Sequence, residues 1–454
     1  MKLYTVFSIM REKLNSLGLE IPSVLLPRNA DLQKWSVIAC DQFTQDRDYW
    51  KRAEVAAAGE PSTLNLVFPE VFLSDEDAQK RIECIHSAMI RYLSEGIFAQ
   101  PRQGFIYIER DTPYQKKRRG LVAAIDLEQY DWKPCSRPLI RSTEGTVPER
   151  LPPRMDIRRG APLELPHVLL LIDDDKDSLL PALGELAKKD TPVYSAPLMM
   201  DSGHITGWFL DAEQAALTLI TEQLDDLHRR SFSRYEGEPF LFAVGDGNHS
   251  LAAAKGIWDE YKAACSGEGL PVHPCRYALV EIENIYDPAI QFEPIHRLVF
   301  GIGFDETVSI LSRLQGFSCR PVNGTEELSR LCREFPASGT GNCFGIISQG
   351  RYALAETSAA GIATACLQPL LDEYAKDNPQ LIDYIHDENE LFRLVASSNN
   401  ASDSKVSGIL LPPVQKSGLF ETVGRLGPLP RKSFSMGHSC EKRFYLECRK
   451  IADI

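Results

Sequence analysis

Apolar residues at Ala78, Ile82, Ile85, Met89 and Leu93 recur at the three-to-four spacing of one helix face, which predicts a helix over 74–93. Ala215, Leu217, Ile220, Leu224 and Leu227 repeat that spacing and predict a longer amphipathic helix over 211–229. Other segments read as strands: 104–110, 121–127, 167–172 and 277–282. Trp35-Ser36-Val37-Ile38-Ala39-Cys40 also reads as a strand, running into the polar pair Asp41-Gln42. Pro239-Phe240-Leu241-Phe242-Ala243-Val244 is apolar throughout, the signature of a strand buried on both faces. A helix is expected at once after it, over 250–264.

The pattern changes near residue 300. Helix 305–314, strand 319–322, helix 325–334, a hairpin around Gly350, helices 367–374 and 388–396, and strands 407–411 and 444–448 follow in turn. This mixed order predicts an α/β (mixed α+β) protein with two domains, 1–300 and 301–454. Between Arg141 and Arg159 the prolines 148, 152 and 153 forbid one regular helix, so a loop and then a short helix are expected.

The most informative segment is Gly245-Asp246-Gly247-Asn248-His249-Ser250, between a buried strand and a helix. Gly245 and Gly247 permit backbone that other residues resist. The first amides of a helix lack intrahelical partners and carry the positive end of its dipole, an arrangement that holds phosphate or carboxylate. Asp246 is the candidate ligand for a divalent cation, while Asn248, His249 and Ser250 are candidate donors to an anion. The alternative is structural: Asp-Gly also makes a two-residue hairpin turn, and Asn248 or Ser250 can merely cap the helix. A dinucleotide fingerprint fits less well, because its third glycine position is Ser250.

Composition narrows the partners. A 454-residue chain exceeds one ordinary core, and 43% hydrophobic with 25% charged residues is normal for a globular protein. A net charge of -13 and a pI near 5.3 argue against bulk binding of nucleic acid, though not against a small basic pocket. The start of the chain lacks the pattern of a secretory signal, no apolar run is long enough to span a bilayer, and no C-x-x-C pair occurs among the 11 cysteines. A cytoplasmic protein without a membrane partner is expected; oligomeric state is left open.

Other residues carry candidate chemistry. Asp41 and Glu144 are candidate general bases, set against turn or capping roles. Arg141 is a candidate phosphate contact, set against ion pairing within its own loop. His296 and Arg297 offer a second basic pair, set against a structural histidine. Asp173, Asp175 and Asp177 match the start of a calcium loop, but Ser178 and Gly184 stand where its glycine and glutamate belong, so a turn is expected. Neither a G-x-S-x-G elbow nor a Walker A loop is present.

Taken in order, four segments resemble a bacterial family labelled domain of unknown function 1015. Asp246-Gly247-Asn248-His249-Ser250 resembles that family's Asp-Gly-His-His-Arg, Arg141-Ser142-Thr143-Glu144-Gly145-Thr146 its charged stretch ending in Thr, Pro294-Ile295-His296-Arg297-Leu298 its Pro-Thr-His-Arg-Leu, and Pro430-Arg431-Lys432-Ser433-Phe434 its Pro-x-Lys-Ser-Thr. The Asp-Gly-His-His-Arg segment also occurs in free serine kinases with a ParB-like fold. The resemblance therefore implies a ParB-like core with a second α/β domain, and phosphoryl transfer to a small hydroxyl acceptor such as serine. This chain departs from the pattern at Asn248 and at Ser250, where a fixed positive charge is lost. Arg141, Arg297 and Lys432 are the candidates to replace it.

The expected function is a small-molecule phosphotransferase with ATP, ADP or pyrophosphate as donor. Gly245, Gly247, Ser250, Arg141, His296, Arg297 and Lys432 would bind phosphate, Asp246 would assist Mg²⁺, Asn248 and His249 would stabilise charge, and Glu144 or Asp41 would take the proton. The alternative is a nucleotide- or anion-binding sensor without turnover on the same scaffold, and a third reading is a structural protein whose glycine turn binds nothing.

Overall fold

The protein is described from a computed structural model, over residues 2–115, 117–133, 135–212, 214–235, 237–265, 273–335, 341–399 and 405–452. Two compact units account for them: 1–290 with 438–454, and 291–437. The sequence reading placed one boundary near 300. Here the chain leaves the first unit at 290 and returns to it at 438, which a single linear boundary cannot express.

The first unit is built on an eleven-stranded mixed sheet. Its strand order is Tyr130–Asp131, Ile140–Ser142, Phe242–Asp246, Leu169–Ile172, Tyr277–Asn284, Arg118–Asp126, Arg102–Asp111, His204–Asp211, Tyr194–Pro197, with Leu19–Glu20 and Ser23–Val24 off that path. Phe242–Asp246 runs parallel to Ile140–Ser142 and antiparallel to Leu169–Ile172. Both faces of the sheet are covered, which explains why its strands read as unbroken apolar runs. Phe105, Tyr107, Leu121 and Ala123 face one core with Leu183, Leu217, Ile220, Leu224, Leu251 and Trp258 from the helices Leu179–Ala187, Gln214–Arg234 and Asn248–Ala264. Ile106, Ile108 and Val122, one residue out of phase, face the other core with Trp50, Ala53, Ile82, Ile85 and Met89 from Arg47–Ala57 and Ala78–Ser94.

Two expected strands are not strands. The segment from Trp35 to Cys40 begins as the end of a helix, Leu32–Trp35, because the Asp31 carboxylate caps the amides of Gln33 and Lys34 and the Ser36 hydroxyl bonds back to the Leu32 carbonyl. Its remainder makes an isolated bridge, Ile38 with Phe444, and the Leu25–Cys448 bridge is the other point where 444–448 touches a partner backbone in this way. The closing segment is thus an extended cord over the second core rather than a sheet member, and Phe444, Tyr445, Leu446 and Cys448 are all buried there.

The second unit is a six-stranded antiparallel sheet in the order Ser318–Pro321, Arg351–Thr357, Asn342–Ser348, Val406–Leu410, His296–Phe300, Ile382–Ile385. Phe304–Leu311 and Ala363–Tyr374 cover one face, and Thr325–Glu334 and Glu388–Asn399 cover the other. The mixed α/β class expected from the pattern is what both units show. Among the described residues no helix is long and apolar enough to cross a membrane.

Candidate functional site

The strand Phe242–Asp246 ends at Gly247, whose φ of +80° is left-handed, and the helix Asn248–Ala264 starts directly after it. No side chain caps this helix start. The segment is therefore a strand-to-helix turn and not a hairpin. An added Cβ on Gly247 would stand 3.0 Å from Val168 Cγ2 and 3.1 Å from its Cα, so both the torsion and the space call for glycine.

The loop after Ile140–Ser142 is tied onto this turn. The Ser142 hydroxyl donates to Asn248 Oδ1 at 2.5 Å and the Thr143 hydroxyl to the Val244 carbonyl at 2.5 Å. The Val147 amide donates to His249 Nε2 at 3.2 Å. Glu144 rides on the same loop, half-buried, and its carbonyl accepts from Ser142.

Asp246 is held from both sides. Oδ1 accepts the Gly247 amide at 2.9 Å, and Oδ2 pairs with Lys442 Nζ at 3.0 Å. Burial would raise its proton affinity, but the Lys442 ammonium and the Gly247 amide outweigh that and hold the carboxyl below its ordinary range. Lys442 is delivered by the closing segment. Beneath that segment lies a buried ionic network: Arg118 donates to both oxygens of Glu283 at 2.7 and 2.6 Å, and Arg443 pairs with Glu281 at 3.0 Å and with Glu447. Arg110 donates to the Lys442 carbonyl at 2.6 Å and Arg118 to the Glu441 carbonyl at 3.3 Å, so the network grips the backbone on either side of the lysine's attachment point.

A second group faces Ser250. His167 Nε2 lies 2.8 Å from the Ser250 hydroxyl oxygen and 3.9 Å from Asp41 Oδ2. The Tyr445 hydroxyl lies 2.9 Å from His167 Nδ1 and accepts the Cys40 amide at 3.1 Å. His167 thus bridges the Tyr445 and Ser250 hydroxyls, one at each ring nitrogen. Arg154, on a short helix Leu151–Arg158 packed against Asn248–Ala264, grips Glu70 through two bonds of 2.7 and 2.5 Å. Burial pushes the Glu70 carboxyl up against the pull of Arg154, and neighbouring Asp41 pushes it further. Asp41, Glu70, Arg154, His167, Asp246 and Lys442 all keep part of their surface in water, between 8% and 23%.

The fold thus joins Asp41, Glu144, Gly245, Asp246, Gly247, Asn248, His249 and Ser250 in one place. It does not bring Arg141 there. That guanidinium donates to the Pro138 and Pro239 carbonyls at 3.1 and 2.7 Å, pairs with Glu238 and stacks on Phe240, at the entrance of the Phe242–Asp246 strand and not at its exit. His296, Arg297 and Lys432 belong to the second unit. Arg297 is fully buried and spent on Gln368 and on the carbonyls of Ile295 and Lys432, and His296 Nδ1 accepts the Leu411 amide at 3.1 Å. Beside the turn, among the described residues, stand the basic side chains Lys442 and Arg154, the His167 ring and the acid Glu70. The sequence offered no distinct signal for Lys442, which stands in a charged triplet, Glu441-Lys442-Arg443, ahead of the short apolar run Phe444-Tyr445-Leu446. Asp173–Asp177 is the expected turn: Asp174 accepts the Ser178 and Leu179 amides that open a helix, and Asp175 pairs with Arg230.

The family profile described as "Protein of unknown function (DUF1015)" matches residues 24–374. No curated protein matches the chain. Among solved structures, a free serine kinase in complex with AMP is similar over 75% of this chain and 95% of its own, with 12% identity and a TM-score of 0.38. A conserved hypothetical protein from Pyrococcus furiosus is similar over 72% and 90% (11% identity, TM-score 0.34), and SbnI with a C-terminal truncation from Staphylococcus aureus over 70% and 82% (8% identity, TM-score 0.33).

Proposed function

The chain belongs to the DUF1015 family, and from that premise we propose that its first unit transfers a phosphoryl group from a nucleotide or pyrophosphate to the hydroxyl of a small molecule such as serine. One observation carries the reading: an uncapped helix start opened by a left-handed glycine, with Lys442, Arg154 and His167 gathered round it and Asp41 alongside. The amides of the first turn, with Asn248, His249 and Ser250, cradle donor phosphate. Lys442 and Arg154, each paired here with a carboxylate, are the cationic donors nearest the position of the family's arginine and would turn in part to the donor phosphate. Asp41 accepts the acceptor's hydroxyl proton as that oxygen bonds to phosphorus and the bond to the departing phosphate oxygen breaks. Asp41 is preferred to Glu144 because it lies beside His167, within reach of Ser250. Such transfer rests on positioning and charge neutralisation.

Mg²⁺ belongs to this proposal in a limited form. Among the described residues no group of three or more histidine, cysteine or acidic side chains stands ready for a metal, and Asp246 is already neutralised by Lys442. One carboxylate suits an ion that arrives on the donor's phosphates and keeps its waters. Bound so, it would neutralise phosphate charge, with Asp246 its protein ligand.

The test combines calorimetry of ATP, ADP and pyrophosphate with phosphorus NMR of the same mixtures plus serine. The expected result is saturable binding and a phosphomonoester product, with turnover lowered by about 10²–10³-fold in His249→Ala and in Lys442→Met. Saturable binding with no product for any small alcohol supports the sensor reading instead. Binding of none of the three donors would sink both.

A further inference from the structure

One buried hydroxyl in the first unit reaches two sides of the site. Tyr445 is 1% exposed, and its ring packs in the second core. Its hydroxyl accepts the Cys40 amide at 3.1 Å, which fixes the backbone immediately before Asp41. The same oxygen lies 2.9 Å from His167 Nδ1, and the other ring nitrogen, Nε2, lies 2.8 Å from the Ser250 hydroxyl and 3.9 Å from Asp41 Oδ2. The tyrosine and histidine rings meet edge to face, with centroids 5.6 Å apart and planes at 79°.

Phenylalanine has the shape of tyrosine without the hydroxyl. A buried hydroxyl is costly unless it is hydrogen-bonded, and the partners here are a backbone amide and a ring that reaches Ser250. A partner at each nitrogen holds an imidazole in one orientation. Cys40, His167 and Tyr445 arrive from separate parts of the chain, so the hydroxyl joins what local structure does not. Tyr92 offers the structural comparison. Its buried hydroxyl likewise accepts a backbone amide, that of Ser62 at 3.0 Å, and the Asn65 side-chain amide at 3.0 Å, and none of these residues belongs to the site.

We propose that Tyr445 is a positioning residue: its hydroxyl sets the His167 ring on Ser250 and steadies the backbone that carries Asp41. One group then fixes both the phosphate end and the proton-accepting end of the site. This role rests on the transfer proposed above for the task of Asp41. It also ties the site to the closing segment at a point besides Lys442.

Tyr445→Phe, Tyr92→Phe, His167→Ala and the double variant of His167 and Tyr445 are compared with the parent, as full chains, by donor calorimetry and phosphorus NMR of transfer. Both phenylalanine variants should lower the melting temperature by a few degrees. Only Tyr445→Phe should slow transfer, by about ten- to a hundredfold in kcat, with donor affinity within about threefold because the first-turn amides remain. Adding it to His167→Ala should cost less than the product of the two separate losses. Transfer in Tyr445→Phe no slower than in Tyr92→Phe, or losses that multiply, overturns the proposal. A parent that transfers nothing refutes the transfer reading and leaves the placement of the ring to decide. Nuclear Overhauser contacts from the His167 ring to Ser250 should then be present in the parent and weakened in Tyr445→Phe. Contacts of equal strength in the two mean that the ring keeps its place without the hydroxyl, which equally overturns it.

Discussion

His296 sits in the fold as a neutral ring. Burial, with the neighbouring Arg297 charge, lowers its pKa from 6.5 to about 4, while its Nδ1 accepts the Leu411 amide. A group whose folded pKa is depressed below the unfolded one takes its proton first in the unfolded chain when that proton makes it a cation. Stability from His296 is therefore full above pH 6.5 and is lost as pH falls toward 4, on the order of 3 kcal/mol in all. His296→Asn keeps an acceptor but does not titrate. Its melting temperature should fall less than that of the parent between those two pH values, and parallel profiles would disprove the assignment. The residue scale is also where sequence reading fell short. His296 and Arg297 looked like a ligand pair because their burial by Gln368, Tyr384 and the Lys432 carbonyl is set by distant segments. Arg141 sits on a strand beside the site strand, yet a side chain's direction along the strand is not written in local sequence.

At the scale of elements, the turn into Asn248–Ala264 depends on Gly247. Gly247→Ala forces a Cβ into the left-handed region and against Val168, so a loss of roughly 1–3 kcal/mol is expected together with weaker phosphate binding. Urea unfolding and phosphate calorimetry measure both, and an alanine variant of unchanged stability would mean that the turn is not left-handed. This turn was legible because glycine spacing, a buried apolar run and a polar helix start coincide within a dozen residues. The helix Thr325–Glu334 and the strands Arg102–Asp111 and Tyr277–Asn284 were legible for similar reasons: each pattern is local and is repeated by its packing. The segments 35–40 and 444–448 have equally apolar patterns but meet other backbone only at isolated bridges, Ile38 with Phe444 and Leu25 with Cys448, over the second core. Glu70, Arg154, His167 and Lys442 come to the site from four separate elements, so no window of sequence contains their meeting.

At the scale of the whole molecule, the first unit buries an ionic network under its closing segment. Arg443 and Glu447 have no exposed side-chain surface, and Glu281 is almost as deeply buried. Gly120 makes room for it, since a Cβ there would stand 2.2 Å from Glu281 Oε1. Removing one partner of such a group leaves a bare charge in the interior. Arg443→Met should cost roughly 3–5 kcal/mol and loosen the placement of Lys442, seen as a lower denaturation midpoint together with weaker nucleotide binding. A variant as stable as the parent would mean that the network does not hold the segment.

The return of 438–454 to the first unit has a consequence for synthesis on the ribosome. Residues 291–437 emerge between the two parts, a delay on the order of ten seconds at ordinary elongation rates. Throughout it the nascent chain carries Asp246 without its lysine and Glu281 without its arginine. The pairing of Asp246 with Lys442 is thus made only after 291–437 has been synthesised, and a chain stopped within that stretch would lack it.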